Sequence, residues 1–329
     1  MIQFVIILSD FPKAHHIEQG YPLVDFVSTF QRHSDIRVYH VSDLPVVTSI
    51  ETRYLFVALP TSLHKDLLVR IRFHQLYLYD YHDSHILNWQ NSDKDWLISV
   101  ADGYFKTSYY RDQREPLPLH SLPIRLRGVP WLFRNLNIPA PWRRFDVFFL
   151  GTPTSWHDEA GPYHQRVEWL QEISGKYRFY GGLTDHVSYP RSNYQDFDNI
   201  DALYHRWNRI DFRLYYFAML QAKIALLPTG HSRWTYRHYE AMSAGCIPLS
   251  TDIRQLEVFI TFPMETMLIV NDHQSVTSVI DKVLRNLSDY TDWIQINKRH
   301  LQTFIGPNGK YSAKAPKAWE RFVGQLSST

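Results

Sequence analysis

The stretch Ala222–Asp252, AKIALLPTGHSRWTYRHYEAMSAGCIPLSTD, gives the clearest indication of the fold. It begins with a short apolar run that ends at Pro228 and Gly230, which is typical of a buried strand and its turn. We expect a helix over Arg233–Ala244 with Ser232 as its N-cap, because this segment contains neither glycine nor proline. A second apolar run, CIPL, follows the helix. Strand, glycine turn, helix and strand make one βαβ unit, so the stretch predicts an α/β fold.

Three charged side chains on the predicted helix suggest a bound anion. Arg233, Arg237 and Glu240 are spaced i, i+4, i+7, which places them on one helix face. The positive end of the helix dipole disfavours arginines there unless an anion binds both guanidinium groups. Glu240 would then accept hydrogen bonds from a pair of hydroxyls, and phosphate plus diol describes a nucleotide. The competing interpretation is a solvated Arg233 beside a surface ion pair between Arg237 and Glu240.

The same stretch resembles a known family of enzymes. Its pattern, K-I-A-L-x-P-x-G … R-x-Y-E-A-M-x-A-G-C-I-P-L, is similar to the signature of the exostosin-type glycosyltransferases. It also resembles the bacterial glycosyltransferase-like proteins of the spore-maturation type, which share the GT-B architecture. The resemblance implies two Rossmann-like domains facing each other across a cleft. It also implies that Glu240 bonds the ribose of a nucleotide-diphosphate sugar, while Arg233 and Arg237 serve the diphosphate.

The resemblance assigns further residues to the donor substrate. Gly230, His231 and Ser232 form the turn before the predicted helix, and a second turn, Gly151–Thr152, ends the predicted strand Phe145–Leu150. A Gly-Thr turn suits close approach to phosphate by backbone N–H groups, and GT-B enzymes place a donor-phosphate loop at this point.

The resemblance also bears on the mechanism. Many retaining GT-B enzymes carry a second glutamate eight residues before the ribose-binding one, and here that position is Ser232. This difference argues against a retaining mechanism of that type. We therefore expect a metal-independent, inverting transferase in which Arg233 and Arg237 compensate the charge of the leaving group.

An inverting enzyme needs a base that acts on the acceptor, and the N-terminal half is its expected source. Functional loops follow the carboxyl ends of parallel strands, which directs attention to residues 10–16, 80–85 and 106–111. We select His15 and Asp83 as catalytic candidates. His16 is adjacent to His15, and on an extended segment the two point in opposite directions, so at most one is catalytic.

We do not expect a metal site. The sequence DYHDSH, residues 80–85, resembles a ligand cluster, but no third group with ligand spacing accompanies it. Two Asp-x-Asp triplets, Asp93–Asp95 and Asp196–Asp198, do not follow an apolar strand that would present them to a metal. We interpret both triplets as surface loop, which favours GT-B over the metal-dependent GT-A architecture.

The rest of the sequence supports a two-domain α/β protein. At 329 residues the chain is long enough for two domains that each bury a core. In the N-terminal half, apolar runs alternate with helical patterns, which indicates a parallel sheet. We expect strands at Gln3–Leu8, Ile36–Val41, Tyr54–Leu59, Gln75–Tyr79 and Trp96–Val100, and helices at Glu18–Arg32 and His64–Phe73.

A proline-rich segment, Glu115–Trp142, separates the two halves and has the composition of a linker. We therefore predict an acceptor-side domain over residues 1–143 and a nucleotide-sugar-binding domain over residues 144–329. The last predicted helix, Pro316–Leu326, is a candidate to pack back on the N-terminal domain, as the resemblance implies.

Composition and termini suggest a cytoplasmic protein. The only cysteine, Cys246, excludes a disulfide within the chain, and its place in an apolar run predicts a buried thiol. The first apolar run ends at Leu8 without a basic segment before it, so we expect neither a signal peptide nor a membrane span. A net charge of +2 is too small to indicate a nucleic-acid partner.

Two other functions remain open from the sequence. A nucleotide-sugar epimerase of GT-B fold would use the same donor site without an acceptor. A non-catalytic protein that binds nucleotide sugars or glycans would keep the fold without a base. The donor sugar, the nucleotide base and the acceptor are not specified by any motif.

Overall fold

The structure is a computed structural model that describes most of the chain. The described residues are 2–8, 16–47, 49–81, 87, 94–124, 126–134, 136–153, 156–158, 161–186, 190–207, 210–230, 232–271, 274–306, 308–313 and 316–327. Two parallel sheets flanked by helices dominate them, which confirms the α/β prediction. Among the described residues, no helix is both long enough and apolar enough to cross a membrane.

The first sheet has six parallel strands in the order β2-β1-β3-β4-β5-β7. The strands of the N-terminal half are β1 Ile2–Leu8, β2 Ser34–His40, β3 Ile50–Ala58, β4 Ile71–Asp80, β5 Gly103–Lys106, β6 Ser108–Tyr110 and β7 Leu119–Ser121. Its helices are α1 His16–Thr29, α2 Lys65–Leu68 and α3 Asp95–Val100. The predicted first four strands and the first helix are confirmed, with boundaries that shift by a few residues.

Two sequence predictions in this half are wrong, and the predicted linker is not wholly irregular. Trp96–Val100 is the helix α3 and not a strand, because a five-residue apolar run fits either structure and only its neighbours decide. The predicted helix His64–Phe73 shrinks to α2, since residues from Ile71 onward pair with β3 as strand β4. The predicted linker contains β7, which pairs with β5 at the edge of the sheet.

The second sheet has five parallel strands in the order β11-β8-β12-β13-β15. The strands of this half are β8 Phe145–Gly151, β9 Trp156–Asp158, β10 Gly161–Tyr163, β11 Phe179–Leu183, β12 Ala222–Leu227, β13 Ile247–Thr251, β14 Leu256–Val258 and β15 Leu268–Val270. Its helices are α4 Gln165–Ile173, α5 Phe212–Leu220, α6 Arg237–Ala244, α7 Val276–Arg285, α8 Thr291–Gln302 and α9 Pro316–Leu326. Cys246, just before β13, is buried as predicted.

The two halves contact each other in two places, through a pair of strands and through the last helix. Strand β6 of the N-terminal half pairs antiparallel with β14 of the C-terminal half. Helix α9 packs on the first sheet, where the ring of Phe322 lies 5.9 Å from that of Phe56 and 5.7 Å from that of Phe105. The Tyr77 hydroxyl donates to the carbonyl of Leu326, the last residue of α9, at 3.3 Å. The final helix therefore completes the core of the first sheet.

Candidate active site

Helix α6 begins later than the sequence suggested. Arg237 is its first residue, and Ser232 is not its N-cap. The cause is Trp234, whose side chain is buried in the shared core and donates from Nε1 to the Tyr239 hydroxyl at 3.3 Å. Burial of this ring holds the preceding segment in a turn. The Ser232 hydroxyl accepts from the Trp234 N–H at 3.3 Å and lies 3.4 Å from the Ser108 hydroxyl of the other half.

The two arginines that were predicted to bind phosphate lie in different places. Arg233 is in the loop after β12, and Arg237 is the first residue of α6. Arg233 precedes the helix, and its Nη1 donates to the carbonyl of Asp252, beyond the end of β13, at 3.5 Å. Arg237 instead lies near the end of β8, with its guanidinium carbon 5.8 Å from the centre of the Phe149 ring. The prediction that Arg233, Arg237 and Glu240 share one helix face is therefore wrong.

Gly151 and Arg237 are close neighbours. A Cβ atom at Gly151 would lie 2.6 Å from Nη2 of Arg237, so a side chain at this position would displace the guanidinium. The sequence predicted a close approach at Gly151 by a phosphate, and in the structure the group that approaches is the arginine itself. The end of β8 and the start of α6 thus form one small site.

The first residues of α4 hold both loops at this edge of the sheet. Arg166 donates from Nη1 to the Thr152 carbonyl at 2.7 Å and lies 3.3 Å from the Thr152 hydroxyl. Gln165 accepts the Thr229 N–H at 2.7 Å. The Gly230 N–H donates to the Ser232 carbonyl at 2.9 Å, so the turn satisfies it internally. The loops after β8 and β12 are therefore fixed by side chains of one helix.

Glu240 lies in the first turn of α6 with one carboxylate oxygen engaged. Its Oε2 accepts a hydrogen bond from the Tyr215 hydroxyl at 2.7 Å, whereas Oε1 accepts none from any described residue. Burial raises the pKa of Glu240 and outweighs the opposing effects of Tyr215, Arg237 and Arg127. No ion pair joins the described side chains of Arg237 and Glu240, so the competing surface-pair interpretation is not what the structure contains.

A cavity of about 120 Å³ is lined by residues of the linker, α6 and α8. Its polar wall comes from Arg127 of the linker, Glu240 and Ser243 of α6, and Lys298 of α8, and the ring of Tyr239 adds an apolar side. Burial lowers the pKa of Lys298. Glu240 therefore borders this cavity and shares the first turn of α6 with Arg237.

His238 was not singled out by the sequence. It is buried, and its Nε2 lies 2.8 Å from the Ser250 hydroxyl of β13, while Nδ1 lies 3.0 Å from the Thr235 carbonyl. Burial lowers the pKa of His238 to about 4, so the ring is neutral near pH 7. The histidine joins α6 to β13 and has a structural role.

Three of the predicted site residues cannot be placed in the structure. His15, Asp83 and His231 lie outside the described residues. Asp80, which the sequence placed in a loop, is the last residue of β4 and is buried. It accepts from Lys106 Nζ at 2.6 Å and from the Tyr104 hydroxyl.

The ion pair between Asp80 and Lys106 was not predicted from the sequence. Lys106 ends β5 and stands in register with Asp80 across the sheet. The sequence feature that could have indicated the pair is a charged residue at the end of each of two apolar strands. The pair is fully buried, so loss of either partner would leave an uncompensated charge inside the protein.

The described residues contain no group of three or more His, Cys, Asp or Glu side chains arranged to hold a metal. Asp196 and Asp198 are exposed in the segment after the turn Arg191–Tyr194, as expected for surface loop. The triplet at Asp93 lies partly outside the described residues.

The whole chain superposes on solved glycosyltransferase structures. An α-glucosyltransferase in complex with UDP aligns with a TM-score of 0.57 and 10% identity over 99% of this chain and 100% of that one. HepE from Anabaena in complex with UDP aligns with a TM-score of 0.54 and 9% identity over the full length of both chains. The fold is GT-B.

A sucrose-phosphate synthase from Thermosynechococcus elongatus has the same architecture. It aligns over the full length of both chains with a TM-score of 0.54 and 11% identity. No protein-family model and no curated protein matches the sequence. At these identities the structures establish the GT-B fold, and the exostosin-type resemblance remains a prediction from the sequence motif.

Proposed function

We propose that the protein is a glycosyltransferase that moves a sugar from a nucleotide-diphosphate sugar to an acceptor. In this proposal residues 144–329 bind the donor and residues 1–143 form the acceptor side. The observation that carries it is the carboxylate of Glu240, which stands at the start of α6 with Oε1 available and Arg237 in the same turn. α-Glucosyltransferase and HepE, which share the fold, have been solved with UDP-glucose.

Glu240 is suited to bind ribose hydroxyls. The Tyr215 hydroxyl fixes Oε2 and thereby orients the carboxylate, which leaves Oε1 to accept from the diol. A charged acceptor makes stronger hydrogen bonds than a neutral one, particularly where water is scarce. The raised pKa reflects that scarcity of water around the free carboxylate. Hydroxyl donors from a ligand would replace the missing solvation.

The diphosphate would lie between the ends of β8, β12 and β13. Arg237 lies on the β8 side beside Gly151, and Arg233 lies on the β13 side. The start of α6 adds the positive end of a helix dipole, while the N–H groups of its next three residues already donate to the carbonyls of Thr235 and Tyr236. Gly230 and Ser232 lie in the loop between β12 and α6, Thr152 borders the β8 side, and the sequence resemblance also assigns His231 to this site. Positive groups in this arrangement would stabilise the departing nucleoside diphosphate.

The acceptor base would come from the first sheet. The segments that contain His15 and Asp83 follow β1 and β4, and parallel strands direct such segments to one edge of the sheet. In an inverting reaction one of these side chains removes the acceptor proton as the acceptor oxygen attacks the sugar carbon. The bond from that carbon to the diphosphate then breaks, and the nucleoside diphosphate leaves.

Titration of Glu240→Gln with UDP and UDP-glucose tests the donor site. Loss of the charged hydrogen bonds should raise both dissociation constants about 10- to 100-fold. Glu320→Gln is the matched control, because it removes the same charge from an exposed position of α9. Unchanged affinity in a folded Glu240→Gln protein would remove Glu240 from the donor site.

Product analysis distinguishes the transferase from the two other functions. A transferase releases nucleoside diphosphate from the nucleotide sugar, and faster once an acceptor is supplied. Interconversion of the free nucleotide sugar would identify an epimerase instead. Tight binding without turnover across a panel of nucleotide sugars and acceptors would identify a binding protein.

We also infer that transfer needs no divalent metal, because two arginines and the start of α6 offer the positive charge that the leaving group requires. Activity should therefore survive dialysis against EDTA. Complete loss of activity on chelation, followed by recovery with manganese or magnesium, would contradict this inference.

A further inference from the structure

A group of apolar side chains is exposed on the linker and helix α5, beside the cavity that Glu240 borders. They belong to the linker and to the outer face of α5, and we name them the linker–α5 surface: Leu132, Leu136, Trp142, Leu214 and Phe217. The exposed fractions of Leu132, Leu214 and Trp142 are 53%, 55% and 82%. Exposed groups of large apolar side chains on a soluble domain commonly mark an interaction site.

The linker turn around Phe133 contacts α5, and Trp142 lies further along the same linker. The ring of Phe133 stacks on that of Phe217 with 5.3 Å between centroids, which joins the linker turn to the helix. Leu214 and Phe217 are three residues apart on α5 and therefore neighbours on its surface. The Leu136 N–H donates to the Phe133 carbonyl at 3.0 Å, so Leu136 belongs to the same turn.

Trp142 is held in its exposed position by the residue that follows it. Arg143 is buried, and its guanidinium donates to the carbonyls of Ile138 at 3.0 Å, Ala222 at 2.7 Å and Ala244 at 3.3 Å. These bonds fix the backbone on either side of Trp142. Among the described tryptophans, Trp142 is the most exposed at 82%, so burial of its ring by another surface would contribute hydrophobic free energy that the free protein forgoes.

The apolar group has a positive border. Arg127, Arg134 and Arg144 are exposed, and none forms an ion pair with a described residue. The Arg127 guanidinium lies over the ring of Phe212 at 5.1 Å, so its charge is held beside α5. Arg213 of α5 is neutralised by Asp211. Arg134 and Arg144 thus add positive charge to the linker, while the charge of Arg127 also acts on Glu240.

We propose that the linker–α5 surface docks on an anionic lipid bilayer. Tryptophan, phenylalanine and leucine side chains enter the headgroup boundary, while arginines contact the lipid phosphates. A nucleic acid would need aromatic rings for base stacking, but three of the five apolar side chains are leucines. The combination of aliphatic tips with unpaired arginines fits a lipid surface better.

Docking would place the donor site close to the bilayer. Helix α5 carries Tyr215, whose hydroxyl binds Glu240, and Arg127 and Leu136 line the cavity that Glu240 also borders. The proposal stands on surface composition and does not depend on the proposed function. Lipid binding and nucleotide binding are accordingly measured on separate variants.

Co-sedimentation of the full chain with lipid vesicles tests the proposal. We expect binding to vesicles that contain phosphatidylglycerol and weak binding to vesicles of phosphatidylcholine alone. Arg134→Gln and Arg144→Gln should each lower the partition coefficient on anionic vesicles by about fivefold. The double variant Trp142→Ser/Leu214→Ser should lower it further.

Val69→Ser is the matched control for the apolar variants, because Val69 is 78% exposed on the N-terminal half. This change should leave vesicle binding unchanged, and an unchanged unfolding midpoint would show that each variant is folded. Absence of binding to anionic vesicles, equal binding to both vesicle types, or an equal effect of the control would overturn the proposal. So would retention by single-stranded DNA without retention by vesicles.

Discussion

The carboxyl edges of the two sheets carry charged side chains in opposite arrangements. On the first sheet, Asp80 and Lys106 are fully buried and bind each other at 2.6 Å. On the second sheet, Arg237 and Glu240 are partly exposed and form no ion pair, although they are three residues apart on one described helix. The buried pair satisfies itself, whereas the separated charges remain available to a ligand.

This difference shows that sequence spacing is a poor guide to pairing. Arg237 and Glu240 have the i, i+3 spacing of a helical ion pair, yet Glu240 bonds Tyr215 of another helix. Asp80 and Lys106 are 26 residues apart and meet because β4 and β5 align them in register. We therefore expect changes at Asp80 and Lys106 to affect stability and changes at Arg237 and Glu240 to affect ligand binding.

The largest expected effect comes from breaking the buried pair. Lys106→Met would leave the Asp80 carboxylate buried without its cation, which typically costs about 3–5 kcal/mol of unfolding free energy. Urea denaturation measures this loss. The double variant Asp80→Asn/Lys106→Met should recover part of it, because no buried charge remains. A loss below about 1 kcal/mol in the single variant would show that the pair does not hold the sheet edge.

His238 lies in the same helix as Arg237 and Glu240, but it is buried and hydrogen-bonded within the protein, as Asp80 and Lys106 are. Its pKa is lowered from 6.5 to about 4 by burial, so folding keeps the ring neutral where the unfolded chain would protonate it. The stability that the neutral ring allows is present above pH 6.5 and is lost as pH falls toward 4. A shift of this size corresponds to roughly 3 kcal/mol.

The measurement is the unfolding free energy of the wild type and of His238→Gln between pH 7 and pH 4. The difference between the two proteins isolates His238 from other groups that titrate in this range, such as His120. We expect the advantage of the wild type to shrink by roughly 3 kcal/mol over that interval. A difference that stays constant with pH would show that His238 is not kept neutral by burial.

Much of the fold was predictable from local pattern. Apolar runs such as Gln3–Leu8 and Phe145–Leu150 are buried strands, and the motif around Glu240 correctly predicted strand, helix and strand. Helix α9 begins and ends where the sequence placed it. These elements share a clear periodicity or a strong boundary signal, so tertiary contacts had little to change.

The failures have tertiary causes. The start of α6 depends on burial of Trp234, and the buried ion pair depends on the alignment of β4 with β5. The linker–α5 surface depends on the contact between Phe133 and Phe217, which are far apart in the sequence. None of these contacts has a local signature, so the sequence pattern placed Arg233 on a helix that in the structure begins only at Arg237.

The central claim is that the open charges of the second sheet bind a nucleoside diphosphate, and Arg237 tests it most directly. In Arg237→Gln the guanidinium that lies beside Gly151 is removed, while the described contacts of Glu240 remain. Because this charge has no ion-pair partner among the described residues, the unfolding free energy should stay within about 0.5 kcal/mol of the wild type. Arg32→Gln, at an exposed position of the N-terminal half, is the matched control.

The measurement is calorimetric titration of the wild type and both variants with uridine and with UDP. The account predicts that Arg237→Gln weakens UDP binding by about 10- to 100-fold and leaves uridine binding unchanged, because only UDP carries the charge that the arginine meets. The control should bind both ligands as the wild type does. Equal losses for uridine and UDP, or no loss for either, would contradict the claim.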